Sequence, residues 1–184
     1  MRYIALFRGI NVGGKNIVKM ADLKKLFENL GFADVKTYIQ SGNVIFRADA
    51  GPAAAAEKIR AGFRSAFGFD SAVTLRTKEE MTDIIRGLPF PPDEIAAAEA
   101  ANPDVEHLYA YLLENAPDAE KIARLGSNDG GPDKIGAGRR EVYLLCRQSV
   151  RDSKLAASLG TLGVPMTARN WKTINKLYQM LEEA

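Results

Sequence analysis

The chain has 184 residues, of which 46% are hydrophobic and 26% charged, and a formal net charge of +2. That balance excludes a disordered chain, and it lacks the dense positive stripe of a dedicated nucleic-acid binder. No run approaches the roughly eighteen apolar residues of a membrane span, and Met1 leads into a strand with no signal-peptide pattern, so the expectation is a cytoplasmic protein with no membrane as partner.

Residues 3–8 read as a first strand, with Ile4 and Leu6 on one face and Tyr3, Ala5 and Phe7 on the other. A loop with three glycines follows, and Met20, Leu23, Leu26, Phe27 and Leu30 then repeat at helical spacing until Gly31 stops the helix. Residues 35–40 and 44–46 are two strands joined by Ser41-Gly42-Asn43, a hairpin signal. Pro52 opens a second helix with Ala56, Ile59, Phe63 and Phe67 inward, and residues 72–76 form a fourth strand. Thr77-Lys-Glu-Glu80 is a capping box that starts a further helix through Leu88. Pro89, Pro91, Pro92 and Pro103 mark a linker with room for one short helix.

The order then repeats: a strand at 107–113, a helix at 117–125, a polar loop at 127–132, a hairpin of 134–135 with 141–146, a helix at 152–159, a strand at 164–168 and a closing helix at 170–181. Thr74-Leu-Arg76-Thr77 and Thr167-Ala-Arg169-Asn170 place the same Thr-x-Arg at corresponding strand ends. The reading is an α+β protein of two tandem ferredoxin-like halves, each βαββαβ plus an extra helix, with antiparallel sheets and an internal duplication. The halves are set at 1–88 and 105–184, with 89–104 as linker.

The candidate site follows from topology. In this fold the end of the first strand lies beside the start of the third, which brings the glycine loop and the 41–43 hairpin to one edge. Glycine lets backbone N–H groups approach a ligand, and the cations nearby favour an anion. Arg8, Asn11, Gly13, Gly14, Lys15, Ser41 and Asn43 are the candidates there. In the second half the same topology is expected to bring Ser153 and Lys154 towards Thr167, Arg169 and Asn170, beside the start of the closing helix. Bland roles compete at each: glycines that only turn the chain, Asn43 as a hairpin residue, Asn170 as an N-cap, Trp171 as core.

His107 and Cys146 are the lone residues of their types, so no metal site is expected, and no cofactor is specified. Cys146 lies in a strand-like run and reads as a buried structural thiol. The segment from Gly9 to Asn16 has the spacing of a phosphate-binding P-loop, but Asn16 stands where Ser or Thr would hold magnesium, and two hairpins argue against the parallel sheet that motif needs. An RNA-recognition reading finds only Phe46 on the third strand, with Tyr3 and Phe7 as additions on a helix-free sheet face.

Four stretches, Tyr3-Ile-Ala-Leu-Phe-Arg-Gly-Ile-Asn-Val-Gly-Gly-Lys-Asn16, Tyr38-Ile-Gln-Ser-Gly-Asn-Val-Ile-Phe46, Ser153-Lys-Leu155 and Thr167-Ala-Arg-Asn-Trp171, resemble a bacterial family catalogued as domain of unknown function 1697. The resemblance runs from the first strand to the last helix, and it differs at Lys19, where relatives often begin the first helix with proline. It implies a two-part α+β fold and supplies no activity. The functional expectation is therefore drawn from the residues: binding of a small anionic, phosphate-bearing ligand at the glycine loop, with transfer or hydrolysis as the class of any chemistry. A single-stranded nucleic-acid module and a protein-interaction domain without ligand are the alternatives.

Overall fold

The computed structural model describes residues 1–127 and 131–183; the predicted polar loop at 127–132 falls outside the described residues at 128–130. β1 (Arg2–Phe7) is apolar on both sides, and its residues 3–7 are all buried, which suits a central strand. It pairs antiparallel with β3 (Asn43–Arg47) and β4 (Val73–Thr77), while β2 (Ala33–Tyr38) lies outside β3, giving the ferredoxin-like order β2-β3-β1-β4.

Helices α1 (Met20–Asn29) and α2 (Pro52–Phe67) bury Leu23, Leu26, Phe27, Ala55, Ala56, Ile59 and Phe63 against one sheet face. That face carries Tyr3, Ala5, Phe7, Val44, Phe46, Val73 and Leu75. This corrects the sequence expectation that Tyr3 and Phe7 line a helix-free platform. Their rings are core: Phe7 stacks 4.9 Å from Phe63, and Phe46 lies 5.1 Å from Phe27 and 5.5 Å from Tyr3. The opposite face, with Ile4, Leu6, Asn43, Ile45, Thr74 and Arg76, is buried as well.

α3 (Lys78–Arg86) starts at the capping box as expected, since Thr77 N–H donates to Glu80 Oε2 at 3.0 Å and Glu80 N–H to Thr77 Oγ1 at 3.2 Å. α4 (Pro92–Ala101) is the short helix within the proline-rich stretch, with Pro92 at its first turn.

The second sheet has the same topology, β6 (Lys134–Ala137), β7 (Glu141–Leu145), β5 (Leu108–Leu113) and β8 (Met166–Asn170) in the order β6-β7-β5-β8. α5 (Ala119–Ser127) and α6 (Lys154–Ser158) cover one face through Ile122, Leu125 and Leu155. The continuous helix expected over 152–159 is instead a short α-helix between two 3₁₀ turns, Val150–Asp152 and Leu159–Leu162, closed by Gly163 at φ 69°. α7 (Trp171–Glu182) completes the chain and buries Ile174, Leu177 and Leu181.

The two Thr-x-Arg segments hold equivalent places. Ile4 faces Arg76 and Leu6 faces Thr74, as Ala110 faces Arg169 and Leu112 faces Thr167. Both arginines are buried and each donates Nη1 to the carbonyl of its preceding residue, at 2.9 Å for Arg76 and 2.8 Å for Arg169. By backbone proximity the chain divides into Met1–Asp83 with Asn175–Ala184, and Ile84–Ile174.

Candidate functional site

Residues 8–18 leave β1 and fold back on themselves before α1. Val12 and Lys15 form an antiparallel bridge around Gly13 and Gly14, whose φ values of 59° and 73° are what a tight two-residue hairpin requires. Lys15 N–H donates to the Val12 carbonyl at 3.1 Å and Asn11 N–H to the Asn16 carbonyl at 3.0 Å. A Cβ placed on Gly9, Gly13 or Gly14 meets nothing within 4 Å, so the tip stands open to solvent and its glycines answer to backbone conformation.

Two asparagines in left-handed conformations lock this loop. Asn11, at φ 55°, donates Nδ2 to the carbonyls of Val18 at 2.8 Å and Gln40 at 2.9 Å and accepts Val18 N–H at Oδ1 at 2.8 Å. Asn16, at φ 52°, donates Nδ2 to the Gly9 carbonyl at 3.1 Å. Asn11 thereby mimics backbone and ties the loop to the 39–42 turn.

That turn is latched from inside. Fully buried Asn43 donates Nδ2 to the Tyr38 carbonyl at 2.9 Å and to Ser41 Oγ at 3.0 Å, and Phe7 N–H reaches the Gly42 carbonyl at 2.9 Å. Gly42 admits no side chain: at φ 77° its Cβ would stand 2.5 Å from Ile10 Cδ1. The structure thus brings Arg8, Asn11, Gly13, Gly14, Lys15, Ser41 and Asn43 to one end of the first sheet and separates their roles. Asn11 and Asn43 face inward as latches. Arg8 and Lys15 are exposed, and among the described residues neither enters an ion pair. Arg8 is fixed through its backbone, its N–H on the Ala72 carbonyl at 2.9 Å and its carbonyl on Ser71 Oγ at 2.9 Å.

The expected convergence in the second half does not occur. Alternation along β8 puts Thr167 and Arg169 opposite Leu112 and Ala110, away from α5 and α6, whereas Ser153 lies on the helix-covered side. Ser153 caps α6 through Ala156 N–H at 3.1 Å, Lys154 is exposed, and Asn170 caps α7 by accepting Thr173 N–H at 2.9 Å. Burial lowers the Arg169 guanidinium to about 10, which leaves it a cation at neutral pH. Burial pushes the Cys146 thiol up to about 11, with the Asp133 charge adding to the shift and the Ser153 hydroxyl opposing it. His107 is buried, with Nδ1 2.7 Å from the Cys146 carbonyl and Nε2 2.8 Å from the Asn102 carbonyl, a structural pin between the start of β5 and the end of β7.

A family model described as "Protein of unknown function (DUF1697)" matches residues 1–143, which include both loop segments of this site. The chain belongs to that family. It is also 30% identical, over 98% of each chain and with a TM-score of 0.73, to a solved structure described as conserved bacterial protein SP0830 from Streptococcus pneumoniae. No curated protein matches it.

In this DUF1697 member the sequence reading missed an apolar component of the loop. Among the described residues the exposed large hydrophobics are Met1, Val12 at 65%, Ile17 at 63% and Ile39 at 48%, so three of four surround the Asn11 latch. Ile39 also sits at φ 46°, a conformation that a β-branched residue rarely adopts. Val12 beside Gly13-Gly14 was the one sequence signal, since a hairpin tip leaves its flanking residue exposed. A cleft of about 320 Å³ lies elsewhere, on α1 and α2, lined by Asp22, Lys25, Leu26, Asn29, Ala66 and Phe67, none of them predicted ligand residues.

Proposed function

We propose that this protein binds a small anionic, phosphate-bearing ligand at the 8–18 loop, with Arg8 and Lys15 as its charged contacts. The observation that carries this reading is a pair of exposed cations, without ion-pair partners among the described residues, on a loop held by asparagine latches. The surroundings favour an anion, since no Asp or Glu occurs in residues 1–21 or 35–48, and Asp70, near Arg8 through Ser71, pairs with Arg64 at 3.4 Å. A latched loop loses little conformational entropy on binding. A transfer or hydrolytic step at this place would use the same two cations to stabilise developing negative charge. We place the protein in the cytoplasm, where a lone cysteine stays reduced. The single-stranded nucleic-acid reading loses its stacking platform, because Tyr3, Phe7 and Phe46 are core residues.

The test is a thermal-shift screen with pyrophosphate, nucleotides, sugar phosphates and sulfate. A phosphate compound present at about a hundred times its Kd adds about 2.7 kcal/mol, a rise of roughly 5 to 10 °C for a chain of this size. The Arg8→Ala/Lys15→Ala double variant is expected to keep its own Tm and lose that rise.

A further inference from the structure

We propose that the Arg8–Lys15 end of the first sheet is a docking surface for an anionic phospholipid bilayer, so that the phosphate it takes is a lipid headgroup. The inference rests on the reading of Arg8 and Lys15 as phosphate contacts and adds the apolar component to it. Ile17 and Ile39 each adjoin a residue, Val18 and Gln40, whose carbonyl is held within 2.9 Å of the same Asn11 Nδ2, and Val12 follows Asn11 directly. Three exposed aliphatic residues therefore each stand next in the chain to the Asn11 latch or to a residue it holds, on segments that also carry exposed Arg8, Lys15 and Lys19.

The shape of the patch chooses the occupant. A Cβ on Gly13 or Gly14 would meet nothing within 4 Å, and the cleft on α1 and α2 includes none of the three aliphatics, which are carried on two surface segments, Val12 and Ile17 on the 8–18 loop and Ile39 on the 39–42 turn. Exposed aliphatics on two surface segments joined by the Asn11 latch, with exposed cations on the same loop, fit the interface of a bilayer, where the aliphatics enter the acyl boundary and the cations meet the headgroups. Charge complementarity agrees, since residues 1–21 and 35–48 contribute cations and no carboxylates. Ile39 adds a further sign. An exposed isoleucine in the left-handed region is poor for the fold on two counts, and such strain points to a role outside it. The contact is peripheral and needs no spanning segment; among the described residues no helix is long and apolar enough to cross a membrane.

Co-sedimentation of the full chain with vesicles of phosphatidylcholine alone, and of phosphatidylcholine with about 30% phosphatidylglycerol, tests this, read beside pyrophosphate thermal shifts of the same proteins. The wild type is expected to sediment with the anionic vesicles and not the neutral ones. A Val12→Ser/Ile17→Ser/Ile39→Asn variant is expected to lose at least tenfold in vesicle affinity while keeping its pyrophosphate shift, and Arg8→Ala/Lys15→Ala to lose both. Vesicle binding that ignores the aliphatic changes is adsorption by charge alone and overturns the inference. A pyrophosphate shift with no vesicle binding also overturns it and leaves the phosphate reading standing. Loop-dependent capture of a polyglutamate peptide or an RNA oligomer without vesicle binding overturns it in favour of that polymer. Absence of both pyrophosphate and vesicle binding removes both readings. Each variant is required to keep the wild-type circular dichroism, and the aliphatic variant is expected to match or exceed the wild-type Tm, since asparagine suits the left-handed backbone at position 39 better than isoleucine does.

Discussion

At Thr167 the second sheet buries a hydroxyl that has no hydrogen-bond partner among the described residues. An unsatisfied buried hydroxyl costs about 1–3 kcal/mol, and valine has nearly the same shape, so Thr167→Val is expected to raise stability by about 1 kcal/mol in denaturant titration. A loss of stability would mean that the hydroxyl has an unrecognised role. Cys146 gives a second expectation at this scale. With the native thiol near 11 and an ordinary value near 9, both states hold the proton below pH 9 and the contribution is intact. Between pH 9 and 11 the unfolded chain releases its proton first, so the native state loses about 2 kcal/mol over that window. Burial raises Tyr109 and Tyr111 in the same direction, Tyr111 to about 12, and extends the loss to higher pH. Replacing Cys146 with alanine is expected to flatten the fall of Tm from pH 9 to 11, whatever it does to Tm at pH 7. An equal slope in that variant would contradict the assigned cause.

The elements show why some of this was legible in the sequence and some was not. Gly31 and Gly68 end α1 and α2 with φ values of 79° and 77°, and the Thr77–Glu80 box closes reciprocally, because these residues act through local backbone chemistry. The faces of β1 were not legible. Tyr3, Ala5 and Phe7 are apolar, and so are Ile4 and Leu6, so alternation carried no polar mark to say which set lies under the helices. The break of the 152–159 helix depends on weak signals, a Ser153 cap after a 3₁₀ turn and glycines at 160 and 163. At the site, the loop and hairpin were brought together by topology alone, but the inward roles of Asn11 and Asn43 required coordinates. Asn11→Ala removes three hydrogen bonds and leaves alanine at φ 55°, with an expected loss of about 2–4 kcal/mol. Hydrogen exchange should show the change first at the Val18 amide. Unchanged protection there would mean that the loop is held by something other than this latch.

On the scale of the whole molecule, one topology occurs twice and its equivalent loops have diverged in charge. The loop after β1, 8–19, carries Arg8, Lys15 and Lys19, while the loop after β5, 114–118, carries Glu114 and Asp118 and no Lys or Arg. The hairpin latch was kept with different chemistry, since Asn43 holds its turn by donating and Glu141, in the matching register, by accepting the N–H groups of Arg139 at 2.9 Å and Arg140 at 3.1 Å. The scaffold is shared, and the open cationic tip belongs to the first half. Titration calorimetry of pyrophosphate into the wild type and into Arg8→Ala/Lys15→Ala tests that assignment most directly. Two charge-assisted contacts of about 1.5 kcal/mol each predict one saturable site and an affinity about 100-fold weaker in the double variant, with its Tm unchanged. Equal affinity in the two proteins would contradict the site.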